Sequence, residues 1–226
     1  MLVIGHRGAA GHEPENTIRS FRAAMALGVD FVETDIQLTK DGQLVVFHDK
    51  LLDRVTTGTG YLAEHDFDDL LASVSIGGEP IPLLGEVCAL LRGTSVKLMA
   101  EVVDPTIAGT VVETLDRLLG PDRYIVASFH HAALREATDA RAGVGTLALV
   151  EGAPVDPVRM LRDSGARYAG LGFESIQEKQ VRALQDADIR VFVWTVNDPR
   201  EIDRAYALGV DGIISDFPER VRIRSG

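Results

Sequence analysis

Residues 31–49 read FVETDIQLTKDGQLVVFHD, and this stretch says most about the architecture of the chain. Strands are predicted at 31–38 and 44–47, because both runs are rich in apolar and β-branched residues. The Asp41-Gly42 pair between them is a strong signal for a hairpin turn. The stretch therefore predicts two antiparallel strands, with ionisable side chains inside the first strand and at the end of the second.

The rest of the chain alternates between predicted strands and predicted helices. A short apolar strand at 2–5 precedes a helix at 17–27, in which Ile18, Phe21 and Ala24 share one face. Further strands are predicted at 96–102, 124–129, 144–150, 168–173, 190–196 and 212–215, and further helices at about 83–91, 106–119, 131–140, 156–164, 177–187 and 199–208. Without the hairpin strand, the pattern holds eight strands, each usually followed by a helix, which is typical of parallel βαβ units.

Eight such units in 226 residues predict an α/β protein with a compact (β/α)8 TIM barrel, whose usual length is about 250 residues. A doubly wound open sheet is the alternative, but it usually carries a G-x-G-x-x-G loop after its first strand. Residues 5–16 read GHRGAAGHEPEN and do not match that loop, which favours the barrel. Residues 50–80 are irregular and predict a small insertion after the second strand, too short for a core of its own. No linker divides the chain, so residues 1–226 are expected to form a single domain.

Composition and charge exclude several classes of partner. The formal net charge of −11 argues against nucleic acid and against stable association with an anionic membrane, since both need clustered Lys and Arg. The only cysteine, Cys88, cannot form an intramolecular disulfide. The N-terminus lacks the features of a secretory signal, and no apolar run approaches the roughly 20 residues of a membrane span. We expect a cytoplasmic protein that binds a small molecule, while the oligomeric state stays open.

Acidic side chains near predicted strand ends suggest a metal site, because barrel active sites lie at the carboxyl ends of the strands. Glu33 and Asp35 are two residues apart and therefore point to the same face of their strand. Two carboxylates on an inward face repel each other unless a cation or a proton lies between them. Glu101, near the end of the next barrel strand, offers a third oxygen donor, and oxygen ligands without cysteine favour Mg²⁺ or Ca²⁺. The simpler interpretation is a structural salt bridge with an arginine.

Other strand-end residues are candidates for catalysis and binding. His6 and His48 are proton-transfer candidates, because histidine changes its charge near neutral pH. Arg7 carries a planar fork suited to phosphate oxygens, although pairing with an acid on the barrel rim is the alternative. Trp194 could wall the substrate pocket or simply pack in the barrel. Further polar residues follow the later strands, namely Ser128, Glu174 and Asp216.

The neighbours of these residues are given structural roles. Asp49 is expected to orient the adjacent histidine or to cap a turn rather than to react. Glu15 and Asn16 lie at the start of the first helix and are expected to hold the first loop by capping contacts.

The residues described above match a known family. HRGAAGHEPENT at 6–17, followed by FRAAMALGVDFVETDIQLTKDGQLVVFHD at 21–49, resembles the glycerophosphodiester phosphodiesterases. Weaker similarity follows at Arg54-Val-Thr-Thr-Gly-Thr-Gly, Ile81-Pro82, Ser128-Phe129, Trp194-Thr-Val-Asn and Gly209-Val-Asp-Gly-Ile-Ile-Ser-Asp-Phe-Pro. The resemblance spans the whole chain and is most specific over residues 6–49.

The resemblance implies a TIM barrel that hydrolyses glycerophosphodiesters to sn-glycerol 3-phosphate and an alcohol. By the family pattern, Glu33, Asp35 and Glu101 would bind one divalent cation, Mg²⁺ or Ca²⁺. His6 and His48 would be the acid/base pair, in an order that the sequence leaves open, and Arg7 would contact the phosphate. The nucleophile is either water or the substrate's own glycerol hydroxyl, through a cyclic phosphate.

One departure from the family pattern concerns the third barrel strand. Family members usually have Glu-x-Lys there, whereas this chain has Glu101-Val102-Val103, so the lysine is absent. A lost cation near the phosphate could lower the rate on the order of a hundredfold. Two alternatives to the main prediction therefore stay open. One is a barrel that cleaves intact lipids, in the manner of phospholipase D-like toxins or inositol phospholipases, and the other is a substrate-binding homologue with weak turnover.

Overall fold

A computed structural model describes residues 1–222 of the chain. Within them, the strands are Leu2–Gly5 (β1), Phe31–Leu38 (β2), Leu44–Val46 (β3), Lys97–Val102 (β4), Tyr124–Ser128 (β5), Gly145–Val150 (β6), Tyr168–Gly172 (β7), Arg190–Trp194 (β8) and Gly212–Ser215 (β9). The α-helices are Ile18–Ala26 (α1), Phe67–Ser73 (α2), Leu84–Leu91 (α3), Ala108–Leu118 (α4), His131–Ala140 (α5), Pro157–Ser164 (α6), Glu178–Asp186 (α7), Pro199–Leu208 (α8) and Pro218–Arg222 (α9).

The sheet closes on itself to form a barrel. Its strand order is β1-β9-β8-β7-β6-β5-β4-β2, and β1 also pairs with β2 in parallel, which completes the ring. The hairpin strand β3 lies outside the ring and pairs antiparallel with β2, as the Asp-Gly turn predicted. The (β/α)8 TIM barrel predicted from the sequence is confirmed, and the predicted element ends agree with the structure to within two residues. The sequence missed α9, a helix of only five residues.

Apolar side chains fill two layers. The inward-facing cluster includes Ile4, Phe31, Met99, Phe192 and Ile214, one from each of five strands. A larger cluster lies between the outward face of the sheet and the surrounding helices. Because alternate residues of a strand point to opposite faces, the inward positions on each strand are fixed by these apolar residues. This alternation determines which polar side chains reach the barrel mouth.

Residues 50–80 form the insertion, with 3₁₀ turns at Leu52–Arg54 and Leu62–Glu64 and the helix α2. The segment contributes buried leucine, valine and isoleucine side chains to a third apolar cluster. That cluster also contains Val45 and Phe47 from the β3 hairpin, together with Ile81. The insertion therefore completes its apolar packing with residues of the hairpin that precedes it, which anchors its loops beside the carboxyl end of the barrel.

The loop after β1 turns sharply under α1. Thr17 caps α1 by accepting a hydrogen bond from the Ser20 backbone amide, so Glu15 and Asn16 are not its N-cap and that prediction was wrong. The Ser20 hydroxyl lies directly against Gly8, whose φ is 88°. A Cβ on Gly8 would lie 2.4 Å from Ser20 Oγ, so the turn requires glycine both for its backbone conformation and for space.

Within residues 1–222, no helix has the length and apolar character needed to cross a bilayer.

The Gly8 turn gives a prediction about stability. Gly8→Ala should lower the free energy of unfolding by about 1–3 kcal/mol more than Gly42→Ala, because only the first substitution also creates a steric overlap. Gly42 is a matched control, since its φ of 81° is similar and nothing lies within 4 Å of the added Cβ. Urea denaturation of both variants measures the difference. Equal losses would show that packing against Ser20 does not constrain this turn.

Candidate active site

Polar residues continue the inward-facing rows of apolar residues at the carboxyl end of the barrel. On β2, Glu33 and Asp35 follow the inward-facing Phe31 at intervals of two residues. On β4, Glu101 follows Met99 in the same way. His6, Trp194 and Asp216 likewise lie two residues after the inward-facing residues of β1, β8 and β9. Period-two alternation therefore directs all of these side chains toward one end of the barrel interior.

Three carboxylates converge at this end. Asp35 and Glu101 are register partners on adjacent parallel strands, and Glu33 pairs in register with Met99. One oxygen each of Glu33, Asp35 and Glu101 lies within 4.8 Å of the others. Burial, the charge of Asp35 and the charge of Glu101 raise the pKa of Glu33 well above its usual range. Burial, followed by the charge of Asp35, raises the pKa of Glu101 to about 8. The cluster is thus strained electrostatically whenever all three groups are ionised.

The two Glu33 oxygens differ in their contacts. Oε2 accepts a hydrogen bond of 2.9 Å from the backbone amide of Arg7. Oε1 is buried and has no hydrogen-bond partner within residues 1–222. A buried carboxylate oxygen without a partner is costly, because it has lost water without gaining a donor or a cation. This oxygen belongs to the residue whose other neighbours are carboxylates, so a cation would satisfy it.

Asp35 is held by a polar shell from the first loop. The Asn16 Nδ2 group donates to Asp35 Oδ2 at 2.8 Å, and the Thr34 hydroxyl donates to the side-chain Oδ1 of Asn16 at 2.9 Å. Arg7 Nε lies 3.2 Å from Asp35 Oδ2. Asn16 and Arg7 both have positive φ angles, 57° and 49°, which are uncommon for residues other than glycine. The loop thus adopts costly backbone conformations while it presents both side chains to this carboxylate.

Arg7 lies at the centre of the acidic groups. Its Nη1 donates to Glu15 Oε1 at 2.7 Å, in addition to the contact with Asp35. Burial lowers the pKa of Arg7, but the charges of Asp35, Glu33 and Glu15 outweigh that effect and raise the pKa above its usual value. The guanidinium therefore remains charged and is fixed in one orientation. The structure combines the two sequence interpretations of Arg7, because it pairs with acids and also lines the cavity.

His6 forms a histidine–carboxylate pair across the closing seam of the barrel. Its Nδ1 lies 2.7 Å from Asp216 Oδ1. Burial tends to raise the pKa of Asp216, but the hydrogen bond and charge of His6 lower it below its usual value. The Asn197 side chain makes two hydrogen bonds with Asp216. Its Nδ2 donates to Asp216 Oδ2 at 2.6 Å, and its Oδ1 accepts from the Asp216 backbone amide at 2.9 Å. With Nδ1 occupied, Nε2 is the nitrogen that His6 can offer to a ligand.

His48 forms a second pair of the same kind. Its Nδ1 lies 2.5 Å from Asp49 Oδ1, as the orienting role predicted for Asp49 requires. Arg54 Nε donates to Asp49 Oδ2 at 2.5 Å, and its two terminal nitrogens donate to the two oxygens of Glu15 at 2.7 and 3.0 Å. The hydrogen bond from Arg54 lowers the pKa of Asp49, so this carboxylate stays ionised beside the imidazole. The insertion thus fixes the second histidine through Arg54.

Six of the seven predicted site residues line one cavity of about 150 Å³, whereas the seventh, Asp35, is 1% exposed and is not part of its lining. Its polar lining is His6, Arg7, Glu33, His48, Glu101 and Thr195, and its apolar lining is Met99, Ala127, Phe129, Leu149, Trp194 and Ile214. The Trp194 indole nitrogen donates to the Gly170 carbonyl oxygen at 3.0 Å. The indole also packs edge to face against the Phe129 ring, with 5.2 Å between the ring centroids. Trp194 therefore forms a fixed wall of the cavity.

Val103, which stands where the resemblance predicts a lysine, lines an adjoining and larger cavity. This cavity has a volume of about 680 Å³ and shares His48, Glu101 and Phe129 with the smaller one. No other cation from β4 replaces the lysine at this end of the barrel, because Lys97 lies at the opposite, amino-terminal mouth.

Sequence reasoning found the acids and the histidines but missed part of their support. Asp216 was noted only as a polar residue after the last strand, although it holds His6. Arg54 and Glu15, which brace the second histidine–carboxylate pair, were not recognised as part of the site. Two signals were available in the sequence: Asp216 follows a predicted barrel strand, and both Asp216 and Arg54 lie in segments that resemble the family.

Comparisons with known proteins identify the family of the chain. A family model described as the glycerophosphoryl diester phosphodiesterase family matches residues 6–220. A glycerophosphodiester phosphodiesterase from Caldanaerobacter subterraneus subsp. tengcongensis is 34% identical, over 96% of this chain and 95% of that protein. One from Bacillus altitudinis is 33% identical, over 98% of this chain and 97% of that protein.

Solved structures show the same similarity. An Oleispira antarctica phosphodiesterase, in complex with the product sn-glycerol-3-phosphate, superimposes with a TM-score of 0.90 at 26% identity, covering 99% of this chain and 96% of that chain. Because the family model spans nearly the whole chain, and because relatives above 30% identity match it almost end to end, the chain belongs to the glycerophosphoryl diester phosphodiesterase family and is an enzyme, a phosphoric diester hydrolase.

Proposed function

We propose that the protein hydrolyses glycerophosphodiesters to sn-glycerol 3-phosphate and an alcohol, with one divalent cation and two histidines at the barrel mouth. The observation that carries this proposal is the cluster of Glu33, Asp35 and Glu101, in which one oxygen of each residue lies within 4.8 Å of the others. Two of these acids line the same cavity as two histidines that are each held by a further acid. The product bound to the Oleispira antarctica protein supports a glycerophosphate-sized ligand for this cavity as well.

The donor set fits a divalent cation. Glu33, Asp35 and Glu101 would hold it, and the partnerless Glu33 Oε1 is an oxygen that it would satisfy. An all-oxygen set of this kind suits Mg²⁺ or Ca²⁺ better than zinc. When bound, the cation supplies positive charge that offsets the developing negative charge of the phosphoryl oxygens.

The two histidines divide the proton transfers. One imidazole Nε2 accepts the proton of the attacking hydroxyl, and the other donates a proton to the departing alkoxide, a contribution of about 10²–10⁴-fold. Asp216 and Asp49 each accept the Nδ1 proton of their histidine. Each carboxylate thereby selects the tautomer that leaves Nε2 facing the cavity, and it stabilises the imidazolium that forms during the reaction.

Arg7 and Trp194 position the substrate in this proposal. Arg7 is held between Glu15 and Asp35, so its positive charge stands beside the cavity without a further cost of ordering. We assign this charge to the phosphate. Trp194 and Phe129 form an apolar wall against which the carbon skeleton of glycerol packs. The cytoplasmic location remains a prediction from the sequence.

The proposal is tested by following release of sn-glycerol 3-phosphate from glycerophosphocholine and related diesters. Purified enzyme should release it in the presence of Mg²⁺ or Ca²⁺, lose that activity with a chelator, and regain it when the cation is restored. His6→Ala and His48→Ala should each lower kcat by about 10²–10⁴-fold. Failure to release the product from any diester with any of these cations would refute the proposed reaction. Full activity of either histidine variant would refute the proposed proton transfers.

Asp216 is predicted to act through His6. Asp216→Asn should lower kcat on the order of a hundredfold with little change in KM, because the imidazole loses the carboxylate that orients it. Glu174→Gln is the matched control, since Glu174 is an exposed acid after another barrel strand and does not line the cavity. Steady-state kinetics at saturating cation measure both variants.

A double variant separates this role from a structural one. If Asp216 acts through His6, His6→Ala combined with Asp216→Asn should be no slower than His6→Ala alone. Multiplicative losses in the double variant would show that Asp216 has a role independent of His6.

A further inference from the structure

The larger cavity beside the catalytic site has an apolar surface that the proposed reaction leaves unexplained. Leu51, Val103 and Phe129 line it, and the charged groups Lys50, Asp53 and Arg54 stand among them. Leu51 and Phe129 are each 43% exposed, which is unusual for large apolar side chains. Exposed apolar residues grouped at one place commonly mark a binding surface.

Exposed large apolar side chains are few among the described residues of this protein, and two of them lie together at this cavity. Within residues 1–222, the exposed large apolar side chains are Met1, Leu51, Tyr61, Leu71, Phe129 and Val155. Leu51 and Phe129 both line the larger cavity, and Tyr61 is bridged to Leu51 by backbone pairing. Two of these six residues therefore line the cavity beside the active site, and a third is paired with one of them through the backbone. The insertion supplies Leu51 and Tyr61, so this surface is made by the segment that also holds His48 through Arg54.

The apolar surface is continuous with the site of hydrolysis. His48, Glu101 and Phe129 line both cavities, so a phosphodiester bound between them has one arm on each side. The cavity of about 150 Å³ is lined by both histidines and by two of the three acids, and its size suits a small arm such as glycerol. The cavity of about 680 Å³ is wider and is lined by Leu51 and Val103, so it suits a larger arm. Lys50 and Arg54 are the lysine and arginine on its surface, and Arg54 is already held by Asp49 and Glu15. Position 103 adds an apolar valine next to Glu101 rather than a further cation.

We infer that the enzyme prefers glycerol phosphodiesters whose second alcohol, the leaving group, carries a hydrocarbon chain. This inference rests on the proposed function, and it adds which arm of the substrate is apolar and where that arm lies. The chain packs on Leu51, Val103 and Phe129, while the glycerol arm occupies the smaller cavity. Each methylene that leaves water on this surface strengthens binding of the transition state, and full burial is worth up to about fourfold in kcat/KM.

A homologous series of substrates tests the inference. Glycerophosphoethanol, glycerophosphobutanol and glycerophosphooctanol differ in apolar area, while the acidity of their leaving alcohols hardly changes. The enzyme should show kcat/KM rising by about two- to fourfold per methylene until the surface is covered. A flat or falling series, with clear hydrolysis of the shortest member, would overturn the inference and leave the proposed function intact. Absence of hydrolysis along the whole series would instead count against the proposed function.

Two variants test whether the hydrocarbon chain of the substrate packs on Leu51 and Val103. Leu51→Asn and Val103→Thr keep the shape of the side chain and add polarity, so each should lower the ratio of octyl to ethyl kcat/KM by about threefold or more. Leu71→Asn is the matched control, because Leu71 is an exposed leucine of the insertion, 54% against 43% for Leu51, that does not line this cavity. An unchanged ratio of octyl to ethyl kcat/KM in both Leu51→Asn and Val103→Thr would overturn the assignment of the hydrocarbon chain to the larger cavity.

A second series separates the two arms of the substrate. In lysophospholipids the chain is attached to the glycerol rather than to the leaving alcohol. If chain length raises kcat/KM only in that series, the apolar arm has been assigned to the wrong side of the phosphate and the inference fails.

Discussion

Mutual repulsion among three neighbouring carboxylates, two buried and one half-buried, is the constraint around which the mouth of this barrel is built. Glu33, Asp35 and Glu101 share a space in which their oxygens lie within 4.8 Å of one another, and burial removes the water that would screen them. A protein that keeps such a cluster must supply positive charge to it. Arg7 provides part of that charge from one side. The partnerless oxygen of Glu33 indicates the side on which more is needed.

The surrounding polar groups follow from the same constraint. Asn16 and the Arg7 backbone amide donate to the acids, and the first loop adopts positive φ angles at both residues while doing so. Arg7 in turn contacts Glu15, which contacts Arg54, which contacts Asp49 and so orients His48. Alternating charges thus link the acidic cluster to one of the histidines. A change in any member of this series is expected to affect both the cation site and the proton transfer.

The closure of the barrel brings the other histidine, His6, into contact with its carboxylate. β1 and β9 are neighbours only because the sheet closes, and this pairing brings Asp216 to His6 across 210 positions of sequence. The two histidine–carboxylate pairs are therefore built differently, one from adjacent residues and one from the two ends of the chain. Both histidines line the same cavity and contact their acids through Nδ1. In the proposed reaction, Nε2 of each imidazole is then the nitrogen that exchanges a proton with the substrate.

Local patterns explain what could be predicted from the sequence. Glu33 and Asp35 could be placed on one face because the strand period is two, and Glu101 could be added because active sites of barrels lie at strand ends. Asp216 and Arg54 could not be paired with their partners, since those contacts depend on barrel closure and on how the insertion folds back. The capping role given to Asn16 was wrong for a related reason. Its side chain contacts Asp35, a partner on a separate strand, while Thr17 caps the helix.

The most direct test of the account is the thermal stability of the protein without metal, measured from pH 5 to pH 9 and compared with that of Glu101→Gln. The folded protein holds the Glu101 proton until about pH 8, whereas the unfolded chain releases it near pH 4.3. The folded state therefore binds more protons in this interval, and its stability is predicted to fall as the pH rises toward 8.

Glu101→Gln should remove much of that pH dependence and raise the melting temperature at pH 8. Added Mg²⁺ or Ca²⁺ should stabilise the wild type most at high pH and the variant little. A variant less stable than the wild type at pH 8 without metal, or a wild type that neither cation stabilises, would contradict the claim that these acids form a cation site.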